Sequence, residues 1–167
     1  MAEMQPWMGV WAANTKHNKL SGVTLKRLSI LGYVAMVAGL VGLLRLHALL
    51  SWSPFVIVPQ AAAVALFVWA RITFGRRSFH AAANPTAGGL VTSGPYRCIR
   101  HPIYTSACLF VAASVAGHLS WLTAICGGVI LGGALMRIHC EEALLKTTYP
   151  EYIQYASNTS RMIPHVY

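Results

Sequence analysis

PIYTSACLFVAASVAGHLSWLTAICGGVILGGALM, residues 102–136, runs for 35 residues without Asp, Glu, Lys or Arg. As one helix it would extend roughly 50 Å, well past a hydrocarbon core of about 30 Å. It therefore reads as a hairpin turning at Gly117–Ser120, each arm a little short for a full crossing. Two more charge-free stretches lie upstream, Leu28–Leu44 and Leu46–Ala70, the second broken near its start by HALLSWSP. Each fits one span. The expected fold is all-α and polytopic, a single domain over 1–167. Its four transmembrane helices are placed near 28–47, 53–71, 101–117 and 119–137, with a closing C-terminal segment over 138–164.

Composition agrees. Hydrophobic residues make up 56% of the chain and charged residues 10%, against about 25% charged in ordinary soluble domains. Thirteen basic and four acidic residues give a net charge of +9. The placement of those charges argues for membrane topology. Lys16, Lys19, Lys26 and Arg27 precede the first span. Arg71, Arg76, Arg77, Arg97 and Arg100 lie between the second and third. Arg137, Lys146 and Arg161 follow the fourth, and Arg45 alone falls on the opposite side. The positive-inside rule makes the crowded side cytoplasmic and puts both termini there. Basic residues scattered around helix ends form no nucleic-acid-binding stripe, so no nucleic-acid partner is expected.

The first twenty residues have no basic region ahead of a long apolar core, so no secretory signal is read in them. Trp7, Met8 and Trp11 suit the membrane interface. Cys98, Cys108, Cys126 and Cys140 are divided between spans and cytoplasmic ends, where disulfides are not expected. Ala35, Gly39 and Gly42 in the first span, and CGGVILGG in the fourth, allow close helix approach. Gln60, next to Pro59 at membrane depth, is expected to face the bundle interior. The connection from Arg71 to Arg100 holds NPTAGGLVTSGPY, rich in turn formers, and connections this long are often functional.

Two clusters carry possible chemistry. In RCIRHP, Pro102 is a good first-turn residue. Arg97, Arg100 and His101 then stand at a helix N-terminus, which favours anions. An ordinary belt of arginines reaching for the interface is the alternative. In CEE, Glu141 and Glu142 follow the fourth span on the same side. They suit a cationic partner, or Glu141 pairs with Arg137 one turn earlier on a solvated helix. Together the clusters bracket a zwitterion such as S-adenosylmethionine. Cys98 and His101 with His139 and Cys140 form a rival zinc set, but the adjacent second pair suits a tetrahedral site poorly, so no metal is assigned.

LVTSGPYRCIRHPIYTS, followed after the hairpin by RIHCEEALLKTTYPEYIQYASNTSRMIP, resembles the isoprenylcysteine carboxyl methyltransferase family within a wider group of small membrane methyltransferases. The shared elements are G-P-Y-R-x-x-R-H-P-x-Y, E-E-x-x-L, Y-x-x-Y and R-x-x-P, from about Leu90 to Pro164. Ser106 stands where the family often has glycine, and Tyr149-Pro150 where it commonly has Phe-Gly.

The resemblance implies methylation by S-adenosylmethionine, taken from the cytosol, of a lipophilic acceptor reached from the bilayer, such as a prenylcysteine-type carboxylate. It implies that Tyr96, Arg100, His101, Pro102, Tyr104, Glu141 and Glu142 line the cofactor pocket. Gly94, Pro95 and Tyr96 would shape the turn beneath it. Glu142 and Arg161 would serve catalysis, Arg161 near the acceptor. A prokaryotic plasma membrane is the expected location, with membrane lipids around the protein. A phospholipid amine or small thiol methyltransferase is the alternative reaction. A non-catalytic membrane protein binding lipid or a partner is the alternative of another class.

Overall fold

The computed structural model describes residues 7–75 and 89–164, with side chains from residue 22 onward. The side chains of Trp7, Met8, Trp11, Lys16 and Lys19, and residues 76–88 of the long connection between the second and third spans, lie outside the described residues. The described elements are α1 (Trp7–Arg45), α2 (Pro54–Phe74), a 3-10 turn (Gly94–Arg97), α3 (Pro102–Gly117), α4 (Trp121–Thr148) and α5 (Tyr152–Ser157). Among the described residues there is no strand, only a parallel bridge between Ile99 and Ser160.

The hairpin forms where the sequence places it. Ser120 caps α4, its Oγ accepting from the Thr123 amide at 3.2 Å while the Ser120 amide donates to Thr123 Oγ1 at 3.0 Å. This reciprocal arrangement satisfies two amides at a helix start that would otherwise lack partners. Pro54 and Pro102 open α2 and α3 at positions where a missing N–H costs nothing.

One boundary differs from expectation. α1 begins at Trp7 rather than near residue 28, so it runs about 58 Å and exceeds the membrane core. α3 runs from Pro102 to Gly117, 16 residues, and is the short arm of the hairpin. Among the described residues, three helices are long and apolar enough to cross a membrane, within Gly22–Arg45, Pro54–Phe74 and Trp121–Thr148; α3 is a shorter apolar helix.

Packing is in pairs: α1 lies along α4 and α2 along α3, and the pairs join where α3 meets α4. Glycines set the first contact. A Cβ on Gly133 would stand 2.5 Å from the Gly32 carbonyl oxygen, and one on Gly39 would stand 2.8 Å from the Cys126 carbonyl oxygen. Leu43, Ala48, Val111 and Ile130 form a small core toward the loop end of the bundle. Large apolar side chains such as Phe55, Val58, Ile72 and Leu31 point outward. That inside-out distribution fits an integral membrane protein.

Gln60 is buried, as expected from its polarity at depth. Its Nε2 donates to the Leu49 carbonyl at 2.7 Å and to Ser114 Oγ at 3.0 Å, tying α2 to α3 and to the α1–α2 loop. Gln60→Ala is expected to lower stability by about 1 kcal/mol, the scale of hydrogen bonds between membrane helices. Thermal unfolding in detergent measures it; an unchanged midpoint would show the bond contributes nothing.

Candidate functional site

At the end of the bundle away from the two short connections, the N-terminus of α3 meets the last turns of α4. Glu142 is the hub. Its Oε1 takes a bond from Arg100 Nε at 2.9 Å and lies 3.4 Å from His101 Nε2. Its Oε2 takes one from Arg161 Nε at 3.0 Å. The step of about 100° between neighbouring helix residues brings Glu141 to the other side of His101: Oε2 is 4.0 Å from Nδ1. Glu141 Oε1 accepts from Tyr104 Oη at 2.5 Å and from Arg137 Nη2 at 3.3 Å. His101 thus stands between two carboxylates, and each carboxylate is matched to guanidinium groups. Glu142 and His101 are buried, and Glu141 is half-buried.

The chain beyond α5 closes over this cluster as a strap. The Arg100 and His101 amides donate to the Ser160 and Arg161 carbonyls at 2.8 and 3.0 Å, and the Ser160 amide returns a bond to the Cys98 carbonyl at 3.1 Å. Thr105 Oγ1 donates to the Met162 carbonyl at 2.9 Å. Arg100 Nη1 donates to the carbonyls of Ala156, at 2.8 Å, and Thr159. Arg100 therefore joins α4 to the strap while its own backbone pairs with it.

Tyrosines surround the cluster. Tyr155 Oη donates to the Tyr96 carbonyl at 2.7 Å, and Tyr96 packs its ring 5.5 Å from Phe74 at the end of α2. Gly94 lets this turn form. Its φ is +57°, and a Cβ there would stand 2.6 Å from Thr73 Oγ1. Tyr152 is buried beside the Glu142 carboxylate, and its hydroxyl makes no well-formed hydrogen bond. Burial, then the Glu142 carboxylate, pushes the Tyr152 phenol up, and burial pushes Tyr155 up to about 12. Both remain neutral donors at physiological pH. A groove of about 530 Å³ adjoins the strap, with Arg97 and Glu151 as opposite charges and Gln154, Tyr155, Asn158 and Thr159 as polar lining.

The model of the isoprenylcysteine carboxyl methyltransferase family matches residues 54–147, more than half of the chain's 167 residues. The chain belongs to this family. Members of the isoprenylcysteine carboxyl methyltransferase family use S-adenosylmethionine as methyl donor. Two bacterial relatives are similar over part of the chain. The cobalt-zinc-cadmium resistance protein CzcN of Cupriavidus metallidurans is 34% identical over 80 residues, 46% of this chain and 36% of the relative. The nickel-cobalt-cadmium resistance protein NccN of Alcaligenes xylosoxydans xylosoxydans is 35% identical over 80 residues, 46% of this chain and 37% of the relative. The match thus spans little more than a third of the length of either relative.

Within this family frame, the structure brings Arg100, His101, Pro102, Tyr104, Glu141, Glu142 and Arg161 into one assembly. Tyr96 joins it through Tyr155 and the strap. Arg97 does not join: it is exposed and lines the groove, so the expected trio at the start of α3 reduces to Arg100 and His101. Ser106 is buried, its hydroxyl donating to the Ile103 carbonyl at 2.7 Å, so the small side chain turns back onto its own helix. His139 is exposed while its neighbour Cys140 is buried, so the adjacent pair of the rival zinc set diverges.

Arg137 departs from expectation. The sequence allowed Arg137 and Glu141 to pair on a solvated helix; the pair forms, but Arg137 is buried. An arginine at the end of a 35-residue charge-free run was the available signal, since charge at that depth is rarely left facing lipid. The Tyr152 hydroxyl and the backbone pairing of 98–101 with 160–161 had no sequence signal.

Proposed function

We propose that this chain is a single membrane methyltransferase domain that transfers the methyl of S-adenosylmethionine to a lipophilic anion, a prenylcysteine-type carboxylate being the model acceptor. Its basic end faces the cytosol, so the water-soluble donor arrives there and the acceptor arrives through the bilayer. The observation that carries the reading is the charge balance of the buried assembly: three arginines, Arg100, Arg137 and Arg161, against two carboxylates, Glu141 and Glu142.

The residues present suit the donor. Glu141 and Glu142 offer acceptors for an ammonium, Arg100 and His101 offer donors for a carboxylate, and the buried Tyr152 hydroxyl stands beside Glu142 without a well-formed hydrogen bond. Tyr96, Pro102 and Tyr104 complete the wall. When bound, S-adenosylmethionine supplies an electrophilic methyl on a sulfonium. An anionic acceptor needs no general base, so the work of the chain is to orient and to exclude water. Arg161 serves as the acceptor's orienting cation, through a bidentate contact with a carboxylate. The excess of guanidinium over carboxylate favours an anionic acceptor over an ammonium.

Isothermal titration of the purified protein with S-adenosylmethionine is expected to show one site, weakened at least tenfold by Glu142→Gln and by Arg100→Ala. Absence of binding to the wild-type chain would sink the enzyme reading. Transfer from labelled donor to prenylcysteines, phospholipids and small thiols then identifies the acceptor. The panel extends beyond prenylcysteine because two relatives are named for metal resistance.

A further inference from the structure

Arg137 lies in the family match, but two of its contacts are on α1, upstream of residue 54. Its guanidinium spends every nitrogen. Nε donates to Tyr104 Oη at 2.7 Å, on α3. Nη1 donates to the Ser29 carbonyl at 3.2 Å, on α1. Nη2 donates to Glu141 Oε1 at 3.3 Å, on α4 itself. The ring of Tyr33 on α1 lies 5.4 Å from its Cζ and that of Tyr104 5.9 Å, both within cation–π range. The side chain is 6% exposed and Ser29 is fully buried, so this is not a charge reaching for the interface.

The geometry depends on the close crossing of α1 and α4. A Cβ on Gly32 would stand 2.8 Å from the Gly133 carbonyl oxygen and 3.0 Å from Arg137 Cγ. Only with that contact can a fork anchored on α4 reach a main-chain carbonyl of α1. The same fork fixes the Tyr104 hydroxyl, which accepts a hydrogen bond from Nε and donates one to Glu141. A lysine could keep the charge but not the three directions.

From this we infer that Arg137 is a positioning residue: it couples α1 to the site by locking the Tyr104 hydroxyl against Glu141. α1 is then part of the catalytic scaffold and not only a membrane anchor. Which function that pair serves rests on the methyltransferase reading; the lock itself does not.

Two readouts on the full-length protein in detergent or nanodiscs test it. Tyrosine labelled with 13C at Cζ, with the Tyr104 signal assigned through Tyr104→Phe, reports on the lock directly. Arg137→Lys and Tyr33→Leu are both expected to shift that signal, whereas Tyr33→Phe, which keeps a ring over the guanidinium, leaves it in place. Titration with S-adenosylmethionine gives the second readout. Arg137→Lys and Tyr104→Phe are each expected to weaken donor binding about tenfold, and the double variant no more than either single one, because both break the same lock.

An unmoved Tyr104 signal in Arg137→Lys overturns the proposal. So does a donor affinity that is unchanged in Arg137→Lys, or that falls multiplicatively in the double variant, since a merely structural arginine would give those results. If the wild-type chain binds no donor, the methyltransferase reading fails while the Tyr104 signal still decides the lock.

Discussion

Glu142→Ala is expected to be among the most damaging single changes outside the helix crossings. The side chain is 5% exposed and receives Arg100, Arg161 and His101. Removing it leaves Arg100 and Arg161 around a void without their carboxylate, and His101 with Glu141 alone on its far side. Breaking a buried ion pair by deleting one partner typically costs about 3–5 kcal/mol. Arg161, one-third exposed, can turn toward water and recover part of that. The unfolding midpoint should fall on the order of 10 °C for a chain of this size, and donor binding should be lost. Glu142→Gln keeps the shape and an acceptor oxygen, so it should lose less stability while still binding donor weakly. A midpoint for Glu142→Ala within about 2 °C of wild type would show that the three cations do not need this carboxylate.

The same residue shows how far the sequence could be read. Helices were legible because charge-free runs have a length, and Pro54, Pro102 and Ser120 mark where three of them begin. That Arg100, His101, Glu141 and Glu142 would be neighbours was legible from topology: one hairpin returns the chain to the side it left. Which cation meets which carboxylate was not. Adjacent residues on a helix diverge by about 100°, so Glu141 and Glu142 had to choose different partners, and that choice depends on the depth of α3 against α4. Glu141 takes Tyr104 and Arg137 while Glu142 takes Arg100 and Arg161. The strap was less legible still. It is held by main-chain bonds between 98–101 and 160–161, and such bonds leave no mark in residue types.

Arg100→Lys should release that strap. Arg100 spans two bodies: Nε holds Glu142 on α4, while Nη1 holds the carbonyls of Ala156 and Thr159 at the end of α5. A lysine ammonium is one compact donor group on a flexible stem, and it cannot occupy both positions at once. It is expected to stay with the carboxylate, because a charge-assisted bond to an anion outweighs one to a carbonyl. Bonds to a charged group contribute about 1.5–3 kcal/mol each, and water recovers about half of that once the two carbonyls are released, so local opening of the strap should rise by roughly 10- to 100-fold. Hydrogen exchange reads this at the Ser160 amide, which bonds the Cys98 carbonyl, and at the His101 amide, which bonds the Arg161 carbonyl. The amide of Val111, inside α3, is the internal control and should keep its protection. Faster exchange at Ser160 and His101 alone would mean the arginine pins a local lid over the carboxylates. Equal acceleration at Val111 would mean it holds the whole bundle, and no acceleration anywhere would mean the backbone pairing suffices without it.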